Sequence, residues 1–171
     1  NFLRGTGLTG LGGIPPKRDF LVRPILCCTR QEVLAYLDAH RLPHVEDSTN
    51  AADDCVRNRL RHNVLPLLKA ENPALAETAL RTAQLLRQDD AFLDTLAESA
   101  LQAAGTGTRT WMCSVLAARP DAIRTRAVRK ILQSIHIPKL SHTQIASVDR
   151  LLFTGDPSAR VSLPDGWEAR R

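Results

Sequence analysis

The longest unbroken pattern in the chain runs from Pro73 to Ala104, and its period is that of a helix. Ala79, Ala83, Leu86, Leu93, Ala97 and Ala100 recur at three- and four-residue steps or their sum. That spacing puts one apolar stripe on one helical face. Asn72-Pro73 is a start signal, an N-cap followed by proline at the first helical position. Gly105-Thr106-Gly107 is a stop. At 1.5 Å per residue, about 30 residues reach about 45 Å. The other faces are polar, so the pattern predicts a rod lying across the surface of a bundle.

Shorter elements surround it. Residues 5 to 18, GTGLTGLGGIPPKR, are rich in Gly and Pro. Gly allows close approach of the backbone to a ligand, but no Gly-Lys-Ser/Thr follows, so this is not a Walker loop. A plain ordered loop and a phosphate cradle both stay open. Phe20 to Leu26 reads as a short extended segment. Thr29-Arg30-Gln31-Glu32 is a capping box opening a helix to about His40, with Val33, Leu34 and Leu37 inward. Asp53 or Asp54 is expected to cap a helix to about Ala70, striped by Val56, Leu60, Val64, Leu67 and Leu68 and kinked at Pro66. Arg109 to Cys113 reads as a short extended piece. Pro120 opens a helix to about Ile135 with Ile123, Ala127, Ile131 and Leu132 inward. Ser141-His142-Thr143-Gln144 is a second capping box for a helix to about Phe153. Two short strands flank Pro164-Asp165-Gly166. The composition shifts between Ala70 and Pro73, which divides the chain into 1–70, mixed α/β, and 71–171, helical with a small β element at the end. The fold class is therefore predominantly α.

Net charge is +5, and 19 of the 23 basic residues are arginine. The planar arginine fork grips phosphate bidentately, which suits a nucleic-acid partner; codon bias toward arginine explains the count equally well. Arg119 to Lys130 carries five basic residues and one acid, a basic helix or a solvated face. No run approaches the roughly 20 apolar residues that cross a bilayer, so no membrane partner is expected. Cys27, Cys28, Cys55 and Cys113 lack metal-ligand spacing; they read as reduced thiols of a cytoplasmic protein, and no residue is assigned to a metal.

Functional residue types are densest from His44 to His62, HVEDSTNAADDCVRNRLRH. Glu46 and Asp47 are adjacent, so on an extended segment they face opposite ways. Asp47 to Asn50 favours an Asx-type turn. Arg57 and Arg61, four apart on a helix, share a flank. Two readings remain: a salt-bridged turn locking loop to helix, or a site where carboxylates hold an ammonium or magnesium and arginine holds phosphate.

The series RGTGLTGLGGIPP, RPIL, LPHVEDSTN and RNRLRHNVLPLL resembles bacterial tRNA(Ile)-lysidine synthase over roughly residues 2 to 100. The tail from Leu140 to Arg171 resembles that family's middle domain. The pairing of E-D-x-[ST]-N with R-N-x-[LI]-R-H at this separation is the specific signal. The resemblance implies the C-terminal part of an α/β adenine-nucleotide α-hydrolase-like domain over 1–70, then a helical tRNA- and substrate-binding domain over 71–171. It implies a ligase that uses ATP and magnesium to adenylate C2 of the wobble cytidine in an isoleucine tRNA with a CAU anticodon. L-lysine then displaces AMP to give lysidine.

Residue by residue, the resemblance implies catalytic roles for Glu46, Asp47 and Arg57. It implies substrate or tRNA contacts for Asn50, Asn58 and Arg61, and a nucleotide-side loop at Arg4, Gly5 and Gly7. Arg124 and Arg129 are the candidate tRNA contacts of the basic helix. The family's Ser-Gly-Gly-x-Asp-Ser loop and His-x-x-Asp-Asp segment are expected upstream of Asn1. Both ends read as cut, and these 171 residues are expected to lack turnover alone. A homodimer stays open. The competing reading is a non-catalytic, Arg-rich helical RNA-binding module; a cytidine thiolase of the same group would need paired cysteines that are absent here.

Overall fold

The computed structural model describes residues 3, 5–45, 53–137 and 140–171. It divides into two compact units, Asn1–Arg87 and Gln88–Arg171. The described residues are mainly helical, with three two-stranded antiparallel sheets. No helix among them is long and apolar enough to cross a membrane.

In the first unit the glycine stretch is an ordered loop holding one helical turn, α1 (Leu8–Leu11). Gly10 is required there, because a Cβ would sit 1.7 Å from the Thr6 hydroxyl oxygen. Arg87 donates from Nη1 to the carbonyl of Gly12, pinning the loop. The expected extended segment is shorter than its pattern. Strands β1 (Lys17–Arg18) and β2 (Leu21–Val22) form a hairpin, and Pro24–Cys27 turns as a single 3-10 coil. The first capping box forms as expected: Glu32 N–H donates to the Thr29 hydroxyl, Thr29 N–H donates to the Glu32 carboxylate, and α2 (Arg30–Ala39) follows.

The helix expected from Asp53 to Ala70 is broken into three. Helix α3 (Val56–Arg59) passes into a wide π turn at Leu60–Val64 and then α4 (Leu65–Glu71). Pro66 explains the break. It has no N–H for the carbonyl of His62, and its ring crowds that carbonyl. The wide turn relieves this, with Leu65 N–H reaching back to Leu60 O. The apolar stripe of this segment is not buried: Val56, Val64, Leu67 and Leu68 are exposed. Every buried hydrophobic side chain among the described residues lies in the second unit.

Helix α5 (Leu75–Ala104) opens on Asn72, whose side-chain oxygen accepts from Ala74 N–H. Ala79 is exposed, but Ala97, Ala100 and Ala104 are buried. Strands β3 (Gly105–Gly107) and β4 (Thr110–Trp111) form a bulged hairpin. The extended reading of Arg109 to Cys113 holds in strand β4, and a short helix α6 (Cys113–Ala117) begins at its last residue. Then come α7 (Asp121–Ser134), α8 (His142–Leu151) with its capping box in place, and the hairpin β5 (Arg160–Ser162) to β6 (Glu168–Arg170).

Two apolar clusters hold the second unit. Ala97, Ala100 and Ala104 of α5 meet Leu116 and Ala127. Val128 and Leu132 of α7 meet Ile137, Ile145 and Leu163. Alanine at the α5 contact lets backbones approach closely, and at about 25 cal/mol per Å² the larger Leu and Ile side chains carry most of the burial energy.

Candidate functional site

The dense stretch is built on the end of a loop and the π turn that follows it. Asp53 does not cap α3. The N-cap is Cys55, with no side-chain bond. Instead the Asp53 carboxylate accepts from Asn63 Nδ2 at 3.0 Å and meets His62 Nδ1 at 2.7 Å. The Asn63 amide, then His62, hold its carboxyl below the usual range. An ionised carboxylate only accepts, so the Nδ1 that faces it carries a proton. Arg59 donates from Nη1 to the carbonyls of Asp53 and Asp54, at 3.1 and 3.4 Å. The Asp53, His62 and Asn63 side chains thus clamp the loop end to the wide turn, and Arg59 adds a hold from α3. Sequence reasoning missed this clamp because its members are nine and ten residues apart across a break in the helix.

Among the candidate residues, Arg57 and Arg61 are exposed along this segment, and Asn58 is buried at 8% exposure. Arg57 stands in α3 and Arg61 in the wide turn. Glu46, Asp47 and Asn50 lie outside the described residues, as does Arg4. Gly5 has a left-handed backbone, φ 66°, that suits glycine, and a Cβ added at Gly5 or Gly7 would meet nothing within 4 Å.

The second half of the glycine loop turns its amides inward. The N–H groups of Gly10, Leu11, Gly12 and Gly13 are spent on carbonyls of Gly7, Leu8 and Gly10. Among the described residues no group of three or more His, Cys, Asp or Glu is placed to hold a metal ion.

In the second unit the basic helix α7 is largely neutralised. Arg124 donates from Nε and Nη2 to the two oxygens of Asp149 at 2.8 and 3.1 Å, and lies 2.9 Å from Asp121. Its guanidinium also stacks over Phe153, 4.6 Å from the ring centroid. Arg126 reaches Asp94 at 2.8 Å and makes a 2.6 Å charge contact with Asp90 Oδ1 that lacks hydrogen-bond alignment. Lys130 bridges Asp94 and Glu98. Arg124, Arg126 and Lys130 thus tie α7 to α8 and α5, leaving Arg119 and Arg129 as the exposed cations of the segment. The donors of Arg124 are consumed inside the fold.

Residues 1–68 match the family model described as PP-loop domain, and residues 112–171 match the TilS substrate binding domain. Curated relatives carry the name tRNA(Ile)-lysidine synthase. One from Geobacter sulfurreducens is 37% identical over 95% of this chain and 36% of its own length. One from Solibacter usitatus is 41% identical over 77% of this chain and 31% of its own. One from Geobacillus kaustophilus is 33% identical over 99% of this chain and 39% of its own. The chain spans about a third of the length of these relatives. A PP-loop segment followed by a lysidine-synthase substrate-binding segment, matched over nearly the whole chain by relatives of one name, settles the lineage: the chain belongs to the tRNA(Ile)-lysidine synthase family.

Proposed function

We propose that this chain forms the acidic-turn and substrate-binding part of a cytoplasmic ligase that makes lysidine. The substrate would be an isoleucine tRNA with a CAU anticodon. With ATP and magnesium, C2 of the wobble cytidine is adenylated and pyrophosphate leaves. The lysine ε-amine then bonds to C2, AMP departs, and the ammonium proton passes to a base.

The observation that carries the reading is the consecutive family match over 1–68 and 112–171. In it, 1–70 closes the ATP-pyrophosphatase domain and 71–171 is the helical tRNA-binding domain. Glu46 or Asp47 holds the lysine ammonium and accepts its proton, since an amine attacks only when deprotonated. Arg57 stabilises charge on the α-phosphate. Asn50 and Arg61 take the substrate and tRNA contacts, the buried Asn58 supports them from α3, Arg129 is the further phosphate contact, and Arg4, Gly5 and Gly7 border the nucleotide. His62, oriented by Asp53, adds a second proton acceptor on the same stretch.

The test is direct binding of the 171-residue chain to that tRNA in rising salt. Binding at low salt that falls steeply as salt rises is expected, because phosphate contacts release counterions. No binding at low salt, or binding indifferent to salt, overturns the tRNA assignment. Turnover is expected of the full-length relatives and not of these 171 residues; ATP-dependent lysine incorporation by the 171 residues alone would contradict that division of labour.

A further inference from the structure

The second unit holds a cavity of about 400 Å³ between α7, α8 and the β5–β6 hairpin. Both tryptophans of the chain, Trp111 and Trp167, line it. Val128, Val148 and Leu163 complete an apolar floor. At its edge the Arg109 guanidinium lies over the Trp167 ring, 4.9 Å from the centroid. Arg109 is exposed and has no carboxylate partner among the described residues. Its backbone is left-handed, φ 62°, uncommon for a residue other than glycine. A strained backbone thus presents a cation without a carboxylate at the mouth of the cavity that collects both indoles.

We propose that this cavity receives an unpaired nucleobase of a bound RNA, with Arg109 on the adjoining phosphate. Flat indole and guanidinium faces suit a planar ring, and apolar walls favour stacking over edge-by-edge reading. The volume accommodates a base with its sugar, within the range of small-molecule sites. The Arg109 charge at the mouth calls for an anionic ligand, which separates a nucleotide from an apolar side chain of another protein. In the α7 ladder Arg124, Arg126 and Lys130 each have a carboxylate; here Arg109 has an aromatic face instead, and cation–π contact leaves a guanidinium edge available to phosphate. The inference rests on the tRNA reading above, whose unpaired loop bases would be the natural occupants.

Trp111 and Trp167 are the only indoles, so indole fluorescence, excited selectively over Tyr36, reports on this cavity. The full 171-residue chain is titrated with single-stranded hexaadenylate, hexauridylate and an abasic ribose-phosphate hexamer. Saturable quenching by the base-bearing oligomers is expected, with the abasic hexamer at least about tenfold weaker. W167L and R109A should each weaken hexaadenylate about tenfold, and R109K should recover part of the loss. Equal affinity for the abasic hexamer, no quenching by any oligomer, or R109A binding like wild type overturns the proposal. Arg109 is exposed, so its variant decides the matter even where W167L does not fold. Loss of base binding in a protein that still makes lysidine within its full-length relative defeats this site and leaves the functional reading standing; base binding without lysidine does the reverse.

Discussion

Arg124 and Asp149 are joined by two parallel bonds, Nε to Oδ1 at 2.8 Å and Nη2 to Oδ2 at 3.1 Å, with both side chains nearly out of solvent. The pair links α7 to α8, and Phe153 closes over the guanidinium at 4.6 Å. Asp149 foremost, against a smaller opposing effect of burial, raises the arginine's affinity for its proton. The sequence places this arginine in a basic run suited to phosphate, whereas the structure spends it on holding two helices together.

Removing one partner should therefore cost stability rather than binding. R124M or D149L alone is expected to destabilise the second unit by about 3 kcal/mol, because each strands a buried charge. The double variant R124M/D149L should fall well short of the sum. Urea denaturation of the four proteins measures this; additive losses would mean that the two side chains do not act as a pair.

The α5–α7 ladder sets a second expectation, in pH. Burial raises the Asp94 carboxyl, but Lys130 and Arg126 outweigh it and hold it below the usual range. Its contribution is complete above the unfolded value of about 3.9 and is lost as pH falls through the lower folded value. Burial lowers Lys130, but Asp94 and Glu98 outweigh it and raise it. That contribution is complete below about 10.4 and is lost as pH rises through the higher folded value. Stability should thus decline below about pH 4 and above about pH 10.5. In K130M the alkaline decline should shrink, as thermal melts across pH would show.

Close approach of α5 to its neighbours depends on alanine. Ala97 and Ala127 are both at 0% exposure in one cluster. A97L adds volume to a filled site and is expected to cost about 1–3 kcal/mol. A79L, at an exposed position of the same helix, should be near neutral. Equal losses in the two variants would contradict the packing described.

The exposed arginines should behave as phosphate contacts. R57A, R61A and R129A are each expected to weaken tRNA binding and to lower the slope of log affinity against log salt by about 0.7–0.9. Slopes unchanged in all three would remove them from the interface.

Legibility differed between the two units for a physical reason. Thr29–Glu32 and Ser141–Gln144 are local patterns whose bonds close within four residues, so both helix starts were readable. The Ile123–Ala127–Leu132 face was readable because helix α7 buries that face against its own unit. Val56, Val64 and Leu67 have the same period but stay exposed, since periodicity states which face is apolar and not whether anything covers it. The pairing of Arg126 and Lys130 with Asp90, Asp94 and Glu98 joins elements some 30 residues apart, and a count of charge along α7 alone gives the opposite picture. Within the candidate site, the Asp53–His62–Asn63 clamp depends on the wide turn ahead of Pro66, which residue spacing on a regular helix does not predict.

The most direct measurement places these 171 residues in the Geobacter sulfurreducens relative, in exchange for the segment they match. The chimera is assayed for ATP-dependent incorporation of lysine into a CAU-anticodon isoleucine tRNA, with lysidine identified by mass spectrometry. Lysidine formation, abolished by E46Q/D47N and reduced by R57A, is the predicted result. A folded, tRNA-binding chimera that forms no lysidine would contradict the account.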